Sequence, residues 1–428
     1  MNTVTFRTFN DSRNLLIVFL SGEMMYVSAL GQGILIINSA RVAIDLLEKR
    51  SSIYSNRPHY ISASDFSTKN LLLSLASYGD LCRRFRRVAV EGFSKSAIQR
   101  FHPIQGREAL MLALALMKNS SSTLGKHLQR HAGSVMLSVN YHFPPTDSED
   151  DPVVVRIAKQ AERLLHEIQP GARLVEFAKW KRDAEYWFIQ DSPMYEDLLG
   201  KVANDLANGI DRPSFGATVI QNRSTHDLSE REQAWLVGTM LSAGGETTST
   251  TLLWWVLVML AYPEVQTRAH AELDEVVGSA RPPTFADLPS LPYIRAMDDW
   301  YEGMFIPKGT VCLQNMRTLN FNTEVFGSNA MDFDPARYLD EKGQVKAMMA
   351  GREEGHMSFG FGRRMCPGRF VAEGTLGIDI ATLLWVMRLE RGEGAQGELD
   401  VRTMVHAGIT SQPRTLEYKI TPRFMEAE

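Results

Sequence analysis

The chain has 428 residues, 44% of them hydrophobic and 22% charged, which is ample material for a large globular core. A formal net charge of -4 gives no global basic character of the kind that holds nucleic acid. Three cysteines, Cys82, Cys312 and Cys366, are widely spaced and odd in number; they form neither a disulfide framework nor a C-x-x-C metal clip, and they favour a reducing compartment.

No stretch is long enough to span a bilayer. Leu15–Leu20 and Leu252–Ala261 both fall well short of the ~20 apolar residues required, and no small-residue cleavage site follows the first. Residues 22–38 alternate apolar and polar, with Gly31 and Gly33 interrupting, and predict a two-stranded hairpin. Asn38 and Ser39 then predict a cap for a helix over Ala40–Lys49. The next helix starts at Gly79–Asp80 and carries Arg83, Arg84, Arg86 and Arg87. Two readings of that cluster are open: a solvated face, or a contact with an anion or an acidic partner. Residues 104–139 read as helical, and the proline- and acid-rich stretch Pro144–Pro152 reads as an exposed loop leading into another helix. Aromatic and charged residues mix from Phe177 to Tyr195 without naming a ligand.

Ser229-x-x-Glu232 is a capping box, and helical pattern runs from it to Tyr262, stopping at Pro263. In its middle stand Ala243-Gly244-Gly245-Glu246-Thr247-Thr248. Small residues inside a helix cost stability and need a reason. One reason is helix–helix packing, with Glu246 paired or solvated. Another is close approach of a ligand, or a local distortion that frees a carbonyl for water, with Glu246 and Thr247 relaying protons. A further helix runs to Val277.

The stretch Phe359-Gly360-Phe361-Gly362-Arg363-Arg364-Met365-Cys366-Pro367-Gly368 is followed by an apolar helical run from Phe370 to Leu389. Arginines and the positive end of a helix favour a charged sulfur and predict a lowered pKa for Cys366. Glycines at 360, 362 and 368 let backbone lie close to a flat ligand. A thiolate in such a loop suggests an axial haem ligand. The plainer alternative is a structural cysteine in a turn.

These pieces resemble the cytochrome P-450 family, the haem-thiolate monooxygenases. Phe359–Gly368 fits F-x-x-G-x-R-x-C-x-G at every fixed position, Ala243–Thr248 fits [AG]-G-x-[DE]-T-[TS], and Phe333–Tyr338 fits F-x-P-x-R-[FY]. The likeness runs from about Met24 to Phe424. It implies a mainly α fold with a small β-sheet region, forming one domain over residues 1–428. It implies haem b (iron protoporphyrin IX) on axial Cys366, with Arg86 and Arg364 on the haem carboxylates, Phe359 beside the sulfur and Gly368 closing the loop. Glu246 and Thr247 would deliver protons. One atom of O2 would enter an apolar small molecule, a secondary metabolite or xenobiotic in members of this fungal style. Electrons would come from NADPH through a flavoprotein reductase, which the arginines of 83–87 partly face. The expected protein is a monomer with no nucleic-acid partner. The family is expected at the cytoplasmic face of the endoplasmic reticulum; without a recognisable anchor, a soluble cytoplasmic chain is the expectation here.

The sequence departs from the family in two places. Cys82 stands where members carry the tryptophan of a Trp-x-x-x-Arg pair. No glutamate is followed three residues later by arginine, and the chain passes from Met297 directly to Asp298 where a helix and a strand, roughly twenty residues, are expected. The segment that would pair with Arg337 is therefore absent, and breaking a buried pair of this kind costs about 3–5 kcal/mol. The alternative to an active enzyme is thus a non-catalytic or mis-spliced family member that cannot retain haem.

Overall fold

The computed structural model describes residues 23–29, 32–118, 123–168, 177–291, 311–320, 330, 333–343, 345, 357–392, 404–407, 410–413 and 417–424. The apolar run at Leu15–Leu20 and the Met297–Asp298 junction lie outside them. The predicted hairpin forms: β1 (Met24–Ala29) pairs antiparallel with β2 (Gln32–Ile37), Met24 opposite Ile37. β3 (Val311–Gln314) then joins β2 in parallel, Val311 opposite Ile34.

The predicted Ala40–Lys49 helix divides. Only Ala40–Ala43 is α-helical, and Ile44–Lys49 continues as a wider π-turn. Ser39 does not cap with its side chain; its Oγ donates instead to Glu23 Oε1 at 3.3 Å, a carboxylate that also pairs with Arg41 at 2.9 Å.

The long helices are α1 (Asp80–Gly92), α2 (His102–Met117), α3 (Leu124–Tyr141), α4 (Pro152–Glu167), α5 (Phe177–Ala207), α6 (Glu230–Ala261), α7 (Pro263–Val276) and α8 (Arg369–Val386). Residues 104–139 are therefore two helices rather than one run. α4 starts as its sequence predicts, with Asp151 accepting from the Val153 and Val154 amides and Pro152 in the first turn.

Helix α6 is the frame. Ser229 Oγ accepts from the Glu232 amide, and the Glu232 carboxylate accepts from the Ser229 amide at 2.7 Å, completing the capping box. The first half of α6 buries Trp235, Leu236 and Leu241 against Phe85, Phe93, Phe101, Tyr195 and Phe215. Its second half buries Leu252, Trp255 and Leu260 against Leu112, Leu128, Leu273 and Leu384. One helix thus links two apolar clusters.

The run expected to stay helical to Leu389 stops at Val386, and Met387–Arg391 becomes β4, antiparallel to β7 (Tyr418–Pro422). A buried amide explains the switch. Gln266 Nε2 donates to Leu389 O at 3.0 Å while its Oε1 accepts from Leu389 N at 2.7 Å, so one side chain serves as a strand neighbour. Strands β5 (Met404–Ala407) and β6 (Thr410–Pro413) form a separate hairpin. No helix among the described residues is long and apolar enough to cross a membrane.

Replacing the cap tests the anchoring of α6. Ser229→Ala is expected to lower stability by about 1 kcal/mol, read as a lower urea midpoint at unchanged slope.

Candidate functional site

The Cys366 loop is shaped by two left-handed glycines, Gly360 at φ 76° and Gly362 at φ 54°. Gly362 has a second reason: a Cβ there would lie 2.0 Å from the Leu47 carbonyl oxygen, so the loop rests directly on the π-turn. The Cys366 amide donates to Phe359 O at 2.8 Å, which brings Phe359 back over the cysteine's own peptide. Gly368 caps α8 and gives its N–H to the Cys366 sulfur.

The thiol does not behave as the sequence predicts. Burial raises the Cys366 pKa. The Gly368 N–H, Arg86 and Arg369 pull the other way, and Glu373 adds to the rise. Loss of hydration outweighs the favourable charges, so the free side chain is a thiol at neutral pH. A cation bound to the sulfur would supply the missing stabilisation of the thiolate.

The arginines around the loop share one feature. Arg86 donates to Met365 O at 2.7 Å. Arg364 donates to Ser55 O and Ala76 O, both at 2.7 Å, and to Leu73 O at 3.4 Å. Arg57, which the sequence reading missed, donates to Ser74 O at 3.2 Å. Every hydrogen bond named here goes to a backbone carbonyl, Arg364 also lies over the Tyr78 ring at 5.7 Å, and among the described residues none of the three has a carboxylate partner. Burial lowers all three pKa values, and Arg364 lowers those of both Arg57 and Arg86. Arg57 is exposed, although enough protein surrounds it for desolvation to lower its pKa. Its only sequence signal was a lone Arg-Pro step after a helix.

Of the other arginines on α1, Arg84 is tied to Asp80, Glu232 and the Asp227 carbonyl. Arg83 and Arg87 are exposed. Arg83 and Arg363 both lie over the Tyr78 ring, at 6.0 and 5.7 Å. Cys82, in contrast, is fully buried.

The second predicted element lies on α6. The helix is unbroken through Ala243–Thr248, so the local distortion, one of the reasons open for its small residues, is absent. Thr247 Oγ1 donates to Ala243 O at 2.8 Å and Thr251 Oγ1 to Thr247 O at 2.9 Å, leaving each hydroxyl oxygen able to accept a hydrogen bond. Ala243, Thr247 and Thr251 form an exposed stripe at four-residue spacing, although the helix is buried on either side of it. Glu246 is half-buried on the adjoining face. The two glycines divide the two readings between them. A Cβ on Gly244 would meet the Met136 side chain at 2.5 Å, so Gly244 serves helix packing against α3. A Cβ on Gly245 would meet nothing within 4 Å, so Gly245 borders open space.

Arg337 sits in its short 3-10 turn, Pro335–Tyr338, with Nε donating to Asp334 O at 3.2 Å.

The profile of the cytochrome P-450 family matches residues 19–297 and 298–420, an interruption between Met297 and Asp298. A cytochrome P-450 monooxygenase of Armillaria gallica is 43% identical over 443 positions, covering 95% of this chain and 85% of the relative. Another, from Postia placenta, is 36% identical, covering 94% of this chain and 83% of its own. Among solved structures, a zebra fish cytochrome P-450 crystallised with abiraterone superposes at TM-score 0.74 with 22% identity, covering 94% of this chain and 97% of that one. The chain belongs to the cytochrome P-450 family, and by that kinship it is an oxidoreductase of the monooxygenase type whose cofactor is a haem-thiolate.

The residues present fit such a group. Three clustered guanidiniums with no carboxylate partner among the described residues suit its two carboxylates, and the open stripe on α6 suits a flat face. Two glycine substitutions are expected to separate in the haem-free protein. Gly245→Ala gains about 0.5–1 kcal/mol from helix propensity. Gly362→Ala loses about 2 kcal/mol or more, from its left-handed φ and the Leu47 carbonyl. Thermal melts of the two variants check both signs.

Proposed function

We propose that this chain is a haem-thiolate monooxygenase acting on an apolar small molecule, as one domain and as a monomer, with Cys366 the axial ligand of haem b. The observation that carries this is the set of Arg57, Arg86 and Arg364 around the cysteine loop, whose hydrogen bonds among the described residues go to carbonyls and not to carboxylates. When bound, the haem would supply the O2 activation that puts one oxygen atom into a C–H bond and releases the other as water, with two protons and, from NADPH through a flavoprotein reductase, two electrons.

The chain's own residues then have distinct tasks. Cys366 gives up its proton and supplies the sulfur ligand. Arg57, Arg86 and Arg364 turn guanidinium N–H groups toward the haem carboxylates. Phe359 flanks the sulfur, and Gly368 keeps its N–H on it, moderating its charge. Thr247 holds a water in the open stripe of α6, and Glu246 replaces the proton that the water gives up. Exposed Arg83, Arg87 and Arg363 present a basic surface beside the cysteine loop to an acidic reductase. The family's usual place, the cytoplasmic face of the endoplasmic reticulum, comes with that reductase. The fungal relatives suggest a secondary metabolite or xenobiotic as substrate.

A second reading, a chain that cannot retain haem, rests on the interrupted family match at Met297–Asp298. A spectrum of the reduced, carbon monoxide-treated protein, expressed with haem supply, decides between them. A red-shifted Soret band of the thiolate type, lost in Cys366→Ala, is expected; a soluble, folded protein without haem refutes the enzyme reading. In the loaded protein, Thr247→Ala is expected to lower product formed per NADPH consumed by about tenfold, with the balance appearing as peroxide.

A further inference from the structure

Polar side chains gather where α2, α3 and α8 meet. α2 contributes Gln105 and Glu108, α3 contributes Arg130, His131 and Ser134, and α8 contributes Thr375 and Asp379; none is more than 3% exposed. Gln105 Nε2 donates to Val371 O at 3.0 Å and to Thr375 Oγ1 at 2.7 Å. His131 Nε2 donates to Asp379 Oδ2 at 2.8 Å. Glu108 accepts from Ser134 Oγ at 2.6 Å and from Arg130 Nη1 at 3.3 Å, and Arg130 also reaches Thr146 O at 2.9 Å.

Polar groups in a buried helix interface give little net stability over apolar ones of similar shape. What they give is directional. Val371, Thr375 and Asp379 are four residues apart, so they form one line along α8. Apolar side chains would let α8 slide or turn with small loss; a one-residue rotation, ~100°, would take all three from their partners. Cys366 stands three residues before α8, and its sulfur is held by the N–H of Gly368, the residue that caps the helix. Any turn of α8 therefore moves the sulfur.

We infer that Gln105 and the His131–Asp379 pair are positioning residues that fix the rotation and axial setting of α8, and through it the place of the Cys366 sulfur. The importance of that place for catalysis rests on the reading of Cys366 as haem ligand; the positional claim itself does not need haem. Gln105→Leu is the cleanest variant, because Thr375 can turn its hydroxyl back to Val371 O one turn behind. The double variant His131→Leu/Asp379→Leu removes the pair without leaving a lone buried charge.

Thiol labelling with a maleimide in the haem-free full chain reads the effect. Cys366 and Cys312 are both half-buried and Cys82 is fully buried, so Cys312, whose thiol burial pushes up to about 11, is the reference. Both variants are expected to raise the Cys366 labelling rate about fivefold or more at unchanged Cys312 rate, with melting temperatures within a few degrees of wild type. With haem supplied, the Soret band after reduction and carbon monoxide should move from the thiolate type toward the thiol type. Labelling of Cys366 at the wild-type rate overturns the inference, as does faster labelling of all three cysteines with a lowered melting temperature. If the wild-type chain shows no thiolate-type band but the variants still expose Cys366 selectively, the haem reading fails and the positional one stands.

Discussion

Three positive charges set close together, with no carboxylate among their partners in the described residues, set the terms for this structure. Arg57, Arg86 and Arg364 come from three separate parts of the chain and repel one another. Their hydrogen bonds to the carbonyls of Ser55, Leu73, Ser74, Ala76 and Met365 only partly offset that repulsion. The same bonds stitch the Ser55–Ala76 segment to the cysteine loop, so the folded shape of that region and its appetite for an anion are one property. A dianionic ligand would neutralise the cluster and tighten the stitch together.

Much of the site was legible because the residues carrying it are close in sequence. The Cys366 loop has its glycines, arginine and cysteine within ten positions, and the α6 capping box needs only Ser229 and Glu232. What the sequence did not disclose depends on neighbours distant in the chain. Cys366 looked activated by its local arginines, but burial decides the direction of its pKa, and burial is a property of the assembled fold. Gly244 and Gly245 are indistinguishable in sequence; only the position of Met136 on α3 assigns one to packing and the other to an open slot.

Element ends were less legible than element types. The helical pattern through Leu389 was sound as hydrophobicity, yet Gln266 on α7 turns its last residues into a strand by offering both halves of a backbone hydrogen-bond pair. Likewise Ser39 has the right chemistry for a cap, but Glu23 competes successfully for its hydroxyl. The buried cluster of Gln105, Glu108, His131 and Asp379 left no trace in the sequence, because polar residues scattered on three helices read as solvent-facing until the helices meet.

The parallel pairing of β2 with β3 has a consequence for how the chain reaches this state. Ile34 and Val311 are neighbours in the sheet but enter the cell far apart in time. During synthesis the outer edge of the Ile34–Ile37 strand, rich in isoleucine and leucine, waits for a partner through most of translation. The β1–β2 hairpin is therefore made long before the strand that completes its sheet. A nascent chain of this protein carries an open strand edge until Val311–Gln314 is made.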